Sequence, residues 1–153
     1  MMMARLQASE LSGMLPDQLI RSIVLKPVTM TQLAFYCAAA GVTDPIHYDS
    51  SFARQTGFPD VVVNGSLRVT WMAQALHELV SPEGWLTQLA CSHRGLMLVG
   101  EQPRLAIRYR GHTPSGAGIH VELAVQTLVG ERLCDSGEGV VYVARYNETS
   151  APC

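Results

Sequence analysis

Two hydrophobic periods divide the chain. In the first half the apolar residues cluster in short blocks. Gln18–Leu25 (QLIRSIVL) carries a β-branched run that predicts a strand, stopped by Lys26–Pro27. Thr29–Gly41 predicts a helix: Thr29 is placed as N-cap with Gln32 three residues on, Val28 and Leu33 flank the cap as a hydrophobic staple, and Gly41 ends the run. VTDPIHYD then predicts a loop, because Pro45 holds Asp44 extended. Asp49 is placed to cap a short helix, Ser50–Thr56, closed by Gly57. A short β-branched run, VVV, precedes Asn64 and Gly65. Ser66–Val80 (SLRVTWMAQALHELV) has neither proline nor glycine and is apolar around most of its circumference, the pattern of a buried helix.

The second half alternates. Trp85–Arg94, Pro103–Gly111, Ile119–Leu128 and Arg132–Arg145 predict strands, with His112–Gly118 as a turn and Gly130–Glu131 as a tight hairpin. The short connections imply an antiparallel meander. One long apolar helix beside one antiparallel sheet predicts an α+β "hot dog", the sheet wrapped around the central helix. Residues 1–15 show neither period and are expected to form a loose arm on a single domain spanning 1–153.

Composition narrows the function classes. The 153 residues are 48% hydrophobic and only 16% charged, so part of the surface is expected to be covered by another subunit. The net charge of −2, without clustered Lys and Arg, argues against a nucleic-acid partner. No apolar run approaches the ~20 residues of a membrane span, and the N-terminus does not read as a signal peptide. Cys37, Cys91, Cys134 and Cys153 have no paired spacing, which suits a reducing cytoplasm. Arg104, Arg108 and Arg110 form a stripe on one strand face, read as solvated surface.

The chemistry-bearing stretch is DPIHYDSSFARQTGFPDVVVNGSL. His47 can serve as a base near neutral pH. It makes a poor metal ligand, since no second His or Cys stands at a ligand spacing, and no metal or cofactor is expected. Gly65 and Ser66 open the long helix, whose first N–H groups and dipole suit a developing oxyanion. Asn64 just before them can orient the loop or contact a substrate. His77 is read as an end-of-helix or core histidine; His93, His112 and His120 show no partner pattern.

The same stretch resembles the hydratase motif of the MaoC-like (R)-specific enoyl-CoA hydratases and acyl dehydratases. Pro45, Ile46, His47 and Asp49 match that motif, the His47-to-Gly65 spacing agrees, and FARQTGF matches the intervening short helix in character. The resemblance is strongest over residues 28–80. It implies a hot-dog fold that dimerises with itself or with another hot-dog subunit. It also implies acyl thioesters of coenzyme A or acyl carrier protein as substrates, and hydration of an enoyl thioester or its reversal. His47 would be the central acid/base, and Asn64, Gly65 and Ser66 the substrate-binding residues; Asp44, three residues before His47 and where the family usually has Asn, is the candidate for a substitute catalytic carboxylate.

The position directly after Gly41, where the family carries its catalytic Asp, is Val42. Valine neither accepts a proton nor holds a water. Three readings therefore stand together: Asp44 and His47 as a rearranged dyad, His47 acting alone in a related proton transfer such as isomerisation, or a non-catalytic subunit partnering an active one. A thioesterase on the same fold would need a carboxylate on the long helix, where Glu78 near the far end is the sole acid.

Overall fold

The computed structural model describes residues 5–144. Strand β1 (Leu19–Val24) leads to helix α1 (Met30–Ala40), a 3-10 turn at Pro45–His47, helix α2 (Ser50–Gln55) and the central helix α3 (Gly65–Val80). Strands β2 (Gly84–His93), β3 (Arg104–Ser115), β4 (Gly118–Val129) and β5 (Arg132–Ala144) complete an antiparallel sheet of order β1-β3-β4-β5-β2. This is the predicted hot-dog arrangement. Hairpins join β3, β4 and β5, while β1 and β2 form its two edges.

Helix α3 lies on one face of the sheet. Met72, Leu76 and Leu79 are fully buried and pack with Ile107, Val121, Val125 and Val141. Each such side chain contributes about 1.5–3 kcal/mol of transfer free energy. The helix, read as apolar around most of its circumference and buried, has a solvent side: Thr70, Gln74, His77 and Glu78 face outward, and the charged Arg68 lies on the buried face. A second cluster of Val28, Leu33, Val61, Val63, Leu67, Met97 and Cys134 clamps α1, the valine run and the start of α3 together.

The local signals of α1 are realised. Thr29 accepts from the Gln32 N–H at 3.1 Å, and Gly41 adopts φ 66°, the left-handed stop that a Cβ would disfavour.

Two expectations are corrected. Residues 5–15 of the presumed loose arm pack against the core: Leu6 and Leu11 are buried, a 3-10 helix spans Ala8–Gly13, and the Leu6 N–H donates to the Leu79 carbonyl at 2.9 Å. Their apolar side chains outweigh the polar composition around them; residues 1–4 lie outside the described part. The turn expected over His112–Gly118 is largely strand, because β3 pairs with β4 as far as Ser115↔Gly118 and the reversal needs only Gly116 and Ala117. Of the run PDVVV, the three valines are buried; the run forms one isolated bridge, Val62↔Leu98, and its backbone is tied to Ile46, Met97 and Val99.

Candidate active site

The His47 loop is built from backbone constraints. After Gly41 the Val42 N–H returns to the Cys37 carbonyl at 2.9 Å, completing the end of α1. Asp44 caps the 3-10 turn, its carboxylate accepting from the Ile46 N–H at 3.2 Å. Asp49 caps α2, accepting from the Phe52 N–H at 3.0 Å. The loop is then fastened to the chain leading into α3: the Val62 N–H donates to the Ile46 carbonyl at 3.0 Å, and His47 Nδ1 lies 2.8 Å from the Val62 carbonyl oxygen. A carbonyl only accepts, so Nδ1 carries the proton and Nε2 keeps its lone pair. His47 is half-buried. Asp44 is exposed, and among the described residues no hydrogen bond joins its carboxylate to the His47 ring.

The start of α3 is similarly over-determined. Asn64 Oδ1 accepts from the Ser66 N–H at 2.8 Å and from the Ser66 hydroxyl; that hydroxyl accepts in turn from the Tyr36 O–H at 2.8 Å. The Ser66 N–H is thus occupied by the cap. The Gly65 N–H has no acceptor among the described residues.

Gly65 is tightly bounded on its other side. A Cβ there would stand 2.6 Å from His93 Nε2, so only glycine fits beside this ring without displacing it. His93 ends β2 and faces Asp135 directly across the β2–β5 ladder, with Nδ1 2.6 Å from Asp135 Oδ1. Asp135 is fully buried and also takes both Oδ1 and Oδ2 contacts from Arg68, the Nε–Oδ2 distance being 3.0 Å. Arg68 Nη2 further donates to the Gly95 and Cys134 carbonyls at 3.1 and 2.8 Å. The guanidinium and carboxylate charges cancel inside the fold, the condition for burying either.

Cys91, His93 and Asp135 bring three potential ligand atoms within 4.8 Å of one another. The set does not suit a cation. Both carboxylate oxygens are engaged by Arg68, whose positive charge would oppose a metal ion. Burial, and then the Asp135 carboxylate, push the Cys91 thiol up, so it resists becoming the thiolate a metal needs. Burial likewise pushes up the Cys37 thiol, which sits 4.0 Å from the His47 carbonyl.

Among the predicted site residues, the structure thus groups Asn64, Gly65 and Ser66 and ties His47 to Val62 just before them, while the Asp44 carboxylate serves as a cap. Sequence reasoning missed His93, Asp135, Arg68 and Tyr36. A charged Arg68 set between the apolar Leu67 and Val69, three residues after Gly65, was the one available signal. A surface depression lined by Gln88, Arg110, Glu122 and Glu138 contains none of these groups.

A hot-dog sheet around a central helix, with polar and imidazole groups gathered at that helix's first turn, defines an α+β protein with a helix-N-terminus site. The chain belongs to the family described as MaoC like domain, whose sequence model matches residues 13–130. Solved structures agree on the fold. An (R)-hydratase from A. caviae involved in PHA biosynthesis is similar, with TM-score 0.73 and 20% identity over 86% of this chain and 98% of that one. The R-hydratase PhaJ1 from Pseudomonas aeruginosa gives TM-score 0.76 at 14% identity, covering 93% and 92% of the two chains. The ChsH1-ChsH2 complex from Mycobacterium tuberculosis gives TM-score 0.68 at 10% identity, covering 84% and 98%. None of the curated proteins matches the sequence at a significant level. No helix among the described residues is long and apolar enough to cross a membrane.

Proposed function

We propose that the protein is a hydratase/dehydratase acting on an enoyl or 3-hydroxyacyl thioester of coenzyme A or acyl carrier protein, with His47 as acid/base. The observation that carries this reading is the His47 Nδ1–Val62 carbonyl bond at 2.8 Å, which fixes the ring and leaves Nε2 as a lone-pair base near the start of α3. In hydration, Nε2 takes a proton from water while the water oxygen bonds to the β-carbon. The π electrons move to the thioester oxygen, which the Gly65 N–H and the positive end of α3 stabilise. The enolate then collapses as the α-carbon takes a proton, the His47 imidazolium returning the one it removed from water, and the thioester carbonyl is restored. Dehydration runs the same steps backward.

Asn64 and Ser66 hold the helix start in place, and Asp44 holds the turn that carries His47. A thioesterase is less well supported. Glu78 is exposed, accepts from Gln74 Nε2 at 2.7 Å, and stands 13 residues beyond Gly65, about 20 Å along the helix axis.

A second copy of this chain, or another hot-dog subunit, is the expected partner. Strand β2 is an open sheet edge with Trp85 exposed, and neighbours include two-chain complexes such as ChsH1-ChsH2. One observation favours a non-catalytic subunit in such a pair: position 42 is a valine, whose N–H closes α1 and whose side chain can hold neither a proton nor a water.

The test is loss of enoyl absorbance from crotonyl-CoA and from a longer enoyl-CoA with the pure protein. Turnover that falls by about 10²–10⁴ in His47→Ala supports the reading. Absence of turnover, with binding of acyl-CoA retained, favours the subunit role.

A further inference from the structure

We propose that His93, oriented by Asp135 and backed by Arg68, is a second proton-transfer residue of this site, providing the carboxylate-supported imidazole that Val42 withholds from His47. The inference rests on the thioester reading above and adds a residue to it.

The pair is assembled by register. His93 and Asp135 are direct partners across β2 and β5, so their side chains leave the sheet on one face. That face meets α3, where Gly65 and Arg68, three residues apart, lie on the same side of the helix. Arg68 fixes the buried carboxylate from both oxygens. The carboxylate therefore accepts from His93, so Nδ1 donates and Nε2 is the nitrogen left to exchange a proton. The Nε2 edge of the ring packs against Gly65, where a Cβ would stand 2.6 Å away, so this nitrogen lies at the first turn of α3, and the ring is 47% exposed.

A structural duty alone does not account for this histidine. The Arg68–Asp135 pair is already closed by two bonds, with Arg68 further satisfied by the Gly95 and Cys134 carbonyls. His93 adds a third bond and leaves its other nitrogen at the helix start. An imidazole held by a buried carboxylate is an oriented base whose protonated form the carboxylate stabilises. Hydration requires one proton taken from water and one delivered to the α-carbon. His47 enters neutral and takes the proton from water, while His93 enters as the imidazolium that Asp135 stabilises and gives its Nε2 proton to the α-carbon; a proton passed from His47 to His93 through solvent water resets both, so the balance closes without a further reactant.

The test uses the full chain with His93→Asn, whose amide can keep a donor where Nδ1 stood but removes Nε2, and His93→Gln as a second variant. Two readouts are followed: hydration of crotonyl-CoA, and exchange of the α-protons of butyryl-CoA for deuterium in D2O, observed by proton NMR. Butyryl-CoA cannot be hydrated, so exchange reports proton transfer alone. The expected result is a fall of about 10²–10⁴ in kcat, with KM within a few-fold of wild type, and a parallel loss of exchange in both variants.

Variants that hydrate crotonyl-CoA within threefold of wild type overturn the proposal. If wild type hydrates no enoyl-CoA, the hydratase reading fails on its own. In that case, exchange in wild type that disappears in His93→Asn upholds the role of His93, and absence of exchange overturns it.

Discussion

The two histidines beside α3 are held in opposite ways. His47 stands in a 3-10 turn and is aimed by a single backbone carbonyl, that of Val62. His93 stands on a sheet strand and is aimed by a buried carboxylate that is itself anchored by a guanidinium on α3. One is placed by loop geometry, which side-chain changes nearby can disturb only through the backbone. The other is placed by charge across three elements, so its orientation depends on residues 42 and 25 positions away in sequence. A base can be positioned locally; an acid–base pair with a buried counter-charge requires the finished tertiary structure.

That contrast is breakable at the buried ion pair first. Asp135→Ala leaves Arg68 buried and unpaired and should cost about 3–5 kcal/mol in denaturant unfolding. His47→Ala, in a half-exposed turn, should cost about 1 kcal/mol. The double variant Arg68→Met/Asp135→Leu should recover most of the loss, since an apolar pair of similar volume removes both charges. Equal costs for Asp135→Ala and His47→Ala would end the distinction between charge-built and loop-built placement.

Gly65→Ala separates position from stability. Alanine favours the helix over glycine by up to about 1 kcal/mol, while the added Cβ displaces the movable end of His93. Unfolding should change little, yet a crystal structure of the variant should show His93 swung from Asp135, with crotonyl-CoA hydration reduced at least tenfold. Retention of the His93–Asp135 bond in that variant would contradict the predicted displacement.

Asp44 offers a smaller test on the other side. Asparagine caps as well as aspartate, so Asp44→Asn should keep stability and turnover, whereas Asp44→Ala should lose about 0.5–2 kcal/mol. A collapse of turnover in Asp44→Asn would assign the carboxylate to the chemistry instead.

The smallest effect is electrostatic. Hydrogen bonds from Ser50, the Val61 N–H and Arg54 hold the Asp60 carboxyl below the usual carboxylate range. Its folded value is depressed, so its stabilisation is complete above about pH 4 and is lost as pH falls through the lower folded value. Urea midpoints of wild type and Asp60→Asn should therefore converge at acid pH and separate as pH rises; a constant separation would rule this out.

Much of the fold was legible because its signals are local. Thr29 and Gly41 bracket α1 in the sequence, Asp49 announces α2, and Gly130–Glu131 turns β4 into β5. Those cues involve residues a few positions apart, within reach of capping and turn rules. Leu6 and Leu11 were not legible as core, since two leucines in a polar stretch acquire meaning only when Leu79 is brought beside them. The site divided along the same line. His47, Asn64, Gly65 and Ser66 sit in one contiguous segment with a recognisable pattern. His93 and Asp135 are 42 residues apart and meet only because the β2–β5 register sets them opposite each other. A shift of that register by a single residue would turn one of them to the other face.

Strand β2 has a neighbour on one side only, and His93 is its last residue. Any chain that pairs with the free side adds hydrogen bonds to the strand on which this imidazole stands. Dilution removes such a neighbour by mass action, and with it part of the stiffness of the strand. Under the proposed pairing with a second hot-dog chain, the order of a side chain at the mouth of α3 would depend on how much protein is present, and specific activity should be compared at matched protein concentrations.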